Sequence, residues 1–454
     1  MKTRFSILLV VLSFFVISGC NNNGSNNISE ELRQLIDDIV KCTMLEKQLP
    51  GLAVSVVKNG DVIYQDSFGK TNIAAGDDVE VDTPFAIASM TKIFTTFSVM
   101  QLIEDGLVTL DDPIGMHLPN LPNEQWKTRS IRNLLSMSSG IPELAFCKDG
   151  PKKGEVCEDN TRFKFNLCGE GFKCEGANRV PYEQFLEGAA QIPLQFDGGA
   201  EYFYSNSNFI ILGELVEALS GSEYKTYLKD NVLIPLGMDN TRPNTVPPPS
   251  IPGLALGYKH ITENPGPDAF NCISFEEPPT NCKSGPPAGV KCEAIPVDDL
   301  RLPDQSFSAG WLVTTQPDMV KLEKALHDLS PTLLNFPSYE EMWTNTQLTD
   351  GSFERFGLGW GVCSELNDSF CPIALDLLSG GINSSNPKTE ATGQDGKIVY
   401  KDGGLPGYGS IIVRYLDDGL TVVVFVNTSP VHEGDLKFAP LDLAAEIALT
   451  IRDN

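Results

Sequence analysis

Histidine is scarce in this chain, with four in 454 residues: His117, His260, His327 and His432. None sits in a pattern that marks a catalytic base or metal ligand, and His432-Glu433 lacks the second histidine of an H-E-x-x-H pair. No two of the eleven cysteines have C-x-x-C spacing, which removes zinc ribbons and thioredoxin-like redox sites. A G-x-S-x-G elbow and an EF-hand loop are also missing. Gly69-Lys70-Thr71 ends like a P-loop but has Tyr64 where the first glycine belongs. Positive charge is short as well: 34 Lys+Arg face 60 Asp+Glu, a formal charge of −26. Phosphate contacts need a basic face, so no nucleic-acid partner is expected.

Hydrophobic residues make up 41% of the chain and aromatics 9%, enough for a packed core. Lys2 and Arg4 precede an apolar run from Phe5 to Ile17, too short for a transmembrane helix, which needs roughly 20 residues. It reads as the apolar part of a signal peptide over residues 1–19. Ile17-Ser18-Gly19-Cys20 resembles the lipobox of bacterial lipoproteins, so Cys20 is the expected lipidated residue. Residues 20–31, with the polar run Asn21 to Asn27, then form a tether. The expected address is the bacterial cell envelope, lipid-anchored, at the periplasmic face of the outer membrane. Setting Cys20 aside leaves ten cysteines, an even number suited to disulfides that staple the insertions at about 143–180 and 260–300. Their connectivity is not legible in the sequence, nor is the oligomeric state.

Helical periodicity is seen over Glu30 to Leu45, Lys92 to Ile103, Ile131 to Ser136, Phe209 to Leu219, Asp318 to His327 and Leu441 to Ile451. Gly51 to Gly69 alternates as two strands around an Asn59-Gly60 hairpin turn, and Ser410 to Tyr415 and Leu420 to Val426 read as strands near the other end. Strands at both ends with helices between predict an α+β fold: an antiparallel sheet built from both ends of a domain over 32–452. The α/β part would take about 32–80 and 305–454, and an inserted helical part about 81–304. A cleft between the two is the natural site.

A serine hydrolase without a histidine needs another base, and a lysine one helical turn away is the alternative. S-x-x-K occurs five times: Ser55/Lys58, Ser67/Lys70, Ser89/Lys92, Ser222/Lys225 and Ser385/Lys388. The first two lie in strands, where positions three apart face opposite ways, and the last lies in a polar loop with Pro387. Ser222 follows the helix-stopping Gly221. Only Ser89-Met90-Thr91-Lys92 opens an apolar helix, which places Ser89 at the positive end of its dipole and Lys92 on the same face. Burial there disfavours the ammonium form and lets the lysine take the serine proton. The motif alone fits equally well a capping serine followed by a lysine that reaches out to solvent.

Two further triplets, Tyr204-Ser205-Asn206 before a helix and Lys401-Asp402-Gly403 before the terminal hairpin, break that tie. With them the chain resembles the serine β-lactamase and penicillin-binding-protein superfamily, in its class C β-lactamase-related branch of D-alanyl-D-alanine carboxypeptidases, D-aminopeptidases and esterases. The likeness extends to Asp82-Thr83-Pro84-Phe85-Ala86-Ile87-Ala88 before the serine, Gly106 to Pro113 after its helix, Leu134 to Gly140, Ser308 to Thr315, and Phe356-Gly357-Leu358-Gly359-Trp360. It implies a β-lactamase/transpeptidase-like fold. It also implies Ser89 as the acylated nucleophile, Lys92 as its proton acceptor, Tyr204 as proton shuttle, Asn206 on the substrate amide, and Lys401 beside Tyr204. The backbone N–H groups of Ser89 and Gly404 would form an oxyanion hole, with Asp402 and Gly403 lining the substrate strand. No metal or organic cofactor is implied.

The implied activity is acyl-serine hydrolysis of D-amino-acid-containing peptides or amides, with cell-wall stem peptides as the leading class. A β-lactamase or esterase is the enzymatic alternative, and a catalytically silent penicillin-binding or partner-binding lipoprotein the non-enzymatic one. Three positions depart from the family pattern. Asp402 stands where a hydroxyl usually helps bind a substrate carboxylate, which predicts weak β-lactam turnover. Met137 stands where Leu-Leu-x-His-x-Ser-Gly has histidine, and Gly198 where a proline is expected.

Overall fold

The computed structural model describes residues 28–142, 193–243, 251–261, 269–273, 275, 279, 282–295, 307–363, 398–428 and 439–454. The expected signal segment, Cys20, the 143–180 insertion and part of the 260–300 insertion lie outside the described residues. Helix α1 (Glu30–Lys47) is capped by the Ser29 hydroxyl, which accepts from the Leu32 N–H, and carries Glu30 and Glu31 in its first turn and Lys47 in its last, in keeping with its dipole. It ends where Gln48 turns left-handed.

Strands β1 (Gly51–Lys58) and β2 (Asp61–Asn72) form the expected hairpin, with Asn59 and Gly60 both at positive φ. Five more strands complete the main sheet: β3 (Asp77–Asp78), β4 (Gly361–Cys363), β5 (Ile398–Leu405), β6 (Tyr408–Tyr415) and β7 (Leu420–Val426). Their order is β3-β2-β1-β7-β6-β5-β4, and every neighbouring pair is antiparallel. The two ends of the chain meet at its centre, where Leu52 pairs with Val426 and Lys58 with Leu420. The sheet is thus antiparallel and built from both ends, an α+β architecture. Strand β5 is a full arm of a hairpin with β6, so Lys401 to Gly404 lie inside a strand rather than ahead of one.

Both faces of the sheet are covered, which is why β1, β6 and β7 read as near-continuous apolar runs. On one face, Val54, Val56, Ile411, Val413, Val422 and Val424 pack against α1 and the closing helix α6 (Ala439–Asp453). On the other, Ala53, Val399, Ile412, Val423 and Phe425 join the larger core. That core is filled by α2 (Thr91–Glu104), α3 (Ile131–Leu135), α4 (Asn206–Ser220) and α5 (Gln316–His327). Helix α2 is almost wholly buried, its polar Thr91, Lys92, Thr95, Thr96 and Ser98 included, as a central helix of the larger layer should be.

Cys42 of α1 is joined to Cys282, and Cys272 to Cys292. Cys363 is also disulfide-bonded. Among the described residues no helix is long and apolar enough to cross a membrane.

Candidate active site

Ser89 sits in a 3-10 turn, Ala88–Met90, that feeds directly into α2. Ala88 adopts φ +48°, a left-handed conformation that a Cβ-bearing residue takes only under constraint from its surroundings. The Ile87 N–H bond to the Leu312 carbonyl and the Met90 N–H bond to the Ile87 carbonyl hold this turn on either side. Ser89 makes no cap, because Met90 is the helix N-cap and uses no side-chain bond. Lys92, one turn on, is 0% exposed, so it does not reach for solvent either. Both halves of the capping-and-snorkelling alternative therefore fail on geometry.

The Lys92 ammonium nitrogen lies 3.0 Å from Ser89 Oγ, 2.7 Å from Asn206 Oδ1 and 2.5 Å from the Ala309 carbonyl. Two of these partners are fixed acceptors, whereas the serine hydroxyl can accept or donate. A charged Lys92 donates to all three. A neutral Lys92 donates to Asn206 and Ala309 and turns its lone pair to the Ser89 hydroxyl proton. The same cage thus accommodates the amine before and after it takes a proton from Ser89, without moving a heavy atom.

Tyr204 also reaches Ser89. Its phenol donates to Ser89 Oγ at 2.7 Å and lies 3.5 Å from Asn206 Oδ1. Tyr204 precedes α4 and Asn206 is the first residue of that helix, so one chain segment delivers both side chains. The Tyr204 ring is flanked by two ammonium groups, Lys92 Nζ at 5.1 Å and Lys401 Nζ at 5.5 Å from its centroid.

Lys401 comes from β5. Short β4 pairs only with Ile398, Val399 and Tyr400, so from Lys401 onward the outer edge of β5 has no pairing from β4. Such an edge presents N–H and C=O groups to an extended ligand. The Lys401 ammonium is buried and lies 3.2 Å from Asp402 Oδ1, whose side chain is about one-fifth exposed. Gly403 faces the nucleophile turn so closely that an added Cβ would stand 2.2 Å from the Ile87 carbonyl, 2.5 Å from Ser410 Oγ and 3.0 Å from the Ser89 nitrogen. Glycine is required there by contact, and the contact seats β5 against Ser89. Gly404, next along the strand, pairs with Gly409.

Ser89, Lys92, Tyr204, Asn206 and Lys401 thus converge from three separate segments, with Asp402, Gly403 and Gly404 on the adjoining strand edge. Sequence reasoning missed the Ala309 carbonyl, the left-handed Ala88 and the phenols of Tyr202 and Tyr400. Burial raises the Tyr202 phenol well above its ordinary pKa, with Tyr400, Tyr204 and Asp402 adding to the effect, and burial raises Tyr400 as well. Both stay neutral phenols at physiological pH. Tyr202 packs against Phe356 of the Phe356 to Trp360 motif, with ring centroids 5.4 Å apart and planes tilted by 55°.

His260, Cys272 and Cys292 place their ligand atoms within 4.8 Å of one another. The two sulfurs are bonded to each other, so no thiolate is available to hold a metal ion.

The family profile described as Beta-lactamase matches residues 32–446. Penicillin-binding protein 4* of Bacillus subtilis is 23% identical over 390 residues, covering 85% of this chain and 70% of that protein. Protein flp of Staphylococcus aureus is 27% identical over 218 residues, but the match takes in only 47% of this chain and 39% of that protein. In three dimensions the chain resembles the D-amino acid amidase of Ochrobactrum anthropi, with a TM-score of 0.64, 18% identity, and 93% and 99% of the two chains covered. It also resembles an octameric penicillin-binding protein homologue from Pyrococcus abyssi, with a TM-score of 0.63, 21% identity, and 93% and 77% covered.

Proposed function

Because the chain belongs to the Beta-lactamase family of penicillin-binding-protein-type serine hydrolases, we propose that it hydrolyses amides or peptides of D-amino acids through an acyl-enzyme on Ser89. The observation that carries this reading is the single cluster in which Ser89 Oγ lies 3.0 Å from a buried amine and 2.7 Å from a phenol. Lys92 takes the hydroxyl proton as Ser89 Oγ attacks the substrate carbonyl. The Ser89 and Gly404 N–H groups receive the oxyanion. Tyr204, between two cations, passes a proton to the leaving amine, and an activated water then releases the acyl group by the reverse sequence. Asn206 orients the substrate amide while holding Lys92.

Asp402 decides between substrate classes. The cation nearest the strand edge, Lys401, is already paired with it, and a second carboxylate brought to this edge meets a negative neighbour. Neutral amides are therefore favoured over the carboxylate-bearing β-lactams and D-alanyl-D-alanine termini, and the D-amino acid amidase likeness supports that choice. The test is a panel assay. Purified protein is expected to release ammonia from D-amino acid amides with at least about tenfold higher kcat/KM than it opens a chromogenic cephalosporin. A cephalosporin rate near that of efficient enzymes, about 10⁴ M⁻¹s⁻¹ or more, overturns the preference. Asp402→Thr is expected to raise cephalosporin acylation roughly tenfold to a hundredfold, the worth of about 1.4–2.8 kcal/mol.

The envelope address rests on sequence alone. The apolar run to Ile17 and the small residues before Cys20 support a lipid anchor. In a bacterial host fed radiolabelled palmitate, wild-type protein is expected to take up label and fractionate with membranes, whereas Cys20→Ser loses both; label retained by Cys20→Ser refutes the anchor.

A further inference from the structure

The two residues on either side of Tyr204 are both tied to one distant residue. The Phe203 N–H donates to the Met137 carbonyl at 2.9 Å, and the Ser205 N–H donates to Met137 Sδ at 3.4 Å. A second donor, Asn208 Nδ2, reaches the same sulfur at 3.5 Å. We infer that Met137 is a positioning residue for Tyr204: its carbonyl and its thioether grip the chain on either side of the tyrosine and set the phenol on Ser89.

Met137 is placed for this with care that a core methionine does not need. It is 0% exposed and held at φ +59°, a left-handed conformation unusual for a residue with an unbranched side chain. Strained backbone of this kind persists where surroundings over-determine it. Here the surroundings are the loop from Ser136 to Pro142, which templates the start of α4 at several points. Ser139 Oγ donates to Asn208 Oδ1 at 2.6 Å, and the Pro142 carbonyl accepts from Ser205 Oγ at 3.1 Å and Ser207 Oγ at 2.7 Å. The Ser205 hydroxyl donates to Pro142 and makes no cap bond on α4. The Ser205 N–H is left to the sulfur. A thioether is a weak acceptor, so the pair gives orientation more than strength. The departure from histidine at this position is thereby a change in how the phenol is held, with the active-site groups themselves untouched.

The inference rests on the proposed role of Tyr204, and a double-mutant cycle separates the two. Met137→Leu keeps the volume and removes the acceptor. It is expected to lower kcat for the best amide substrate about tenfold, with KM within about twofold, because displacement of a catalytic group by a fraction of an ångström acts on the transition state. In a Tyr204→Phe background the same change is expected to add nothing, and Met137→Gln, whose amide oxygen can accept in the sulfur's place, is expected to recover most of the lost rate. Additive losses, or equal losses in Met137→Leu and Met137→Gln, overturn the positioning role and leave that of Tyr204 standing. A Tyr204→Phe enzyme as fast as wild type removes both. Should Met137→Leu fail to fold, Asn208→Ala enters the cycle instead, removing one donor to the sulfur, with the same lack of additivity expected.

Discussion

Ser89→Ala is expected to abolish covalent labelling and to cut amide hydrolysis by at least about 10⁴-fold while leaving thermal stability within about 1 kcal/mol of wild type. The asymmetry follows from the site. The Ser89 hydroxyl touches Lys92 and Tyr204 but does not cap a helix or plug the core, so the fold loses little with it. In the proposed reaction that oxygen attacks the substrate and then carries the acyl group until water displaces it. Intact-mass measurement after exposure to a fluorophosphonate and to benzylpenicillin reads the result directly. An adduct that survives in Ser89→Ala assigns the nucleophile elsewhere. Wild type that labels with neither reagent points to a silent protein on this fold.

Lys92→Met separates chemistry from stability still more sharply. Removing the proton acceptor is expected to slow acylation by about 10³-fold or more. Burial of an ammonium costs several kcal/mol that its hydrogen bonds must offset, and methionine of similar volume is free of that cost. Against this, Asn206 Oδ1 and the Ala309 carbonyl lose a donor, at about 1–3 kcal/mol each. The opposing terms nearly cancel, so chemical denaturation is expected to place Lys92→Met within about 2 kcal/mol of wild type. A variant that unfolds outright makes Lys92 chiefly a structural strut. One that retains near-normal acylation removes it as the base.

The parts of the site that sequence reasoning reaches are those carried by side-chain type at fixed spacing. Ser89 and Lys92 stand one turn apart at a helix start, and Tyr204 and Asn206 flank another, so helical geometry does the placing. Lys401 was legible only through resemblance, since Lys-Asp-Gly-Gly has no β-propensity of its own; pairing with Ile412 and its neighbours on β6 makes it strand. What stayed hidden is mostly backbone. The Ala309 carbonyl that cages Lys92 carries no residue signature, and Ala88 and Met137 adopt positive φ where neither glycine nor asparagine announces it. The pairing of Cys42 with Cys282, 240 residues on, likewise depends on a helix and a distant segment brought together by the finished fold.

The pairing of β1 with β7 has a consequence for the order of events during biosynthesis. Leu52 cannot meet Val426 until almost the whole chain has been made, and closing so long a loop is slow compared with helix formation. The Ser89 turn, α2 and α4 can assemble first, with Tyr204 already beside the serine. Gly403 presses on that turn only once β5 has joined β6. A nascent or partly folded protein therefore carries serine, lysine and tyrosine together but lacks the strand that would align a substrate. The strand edge on which the proposed substrate would lie is thus completed only as the last strands dock.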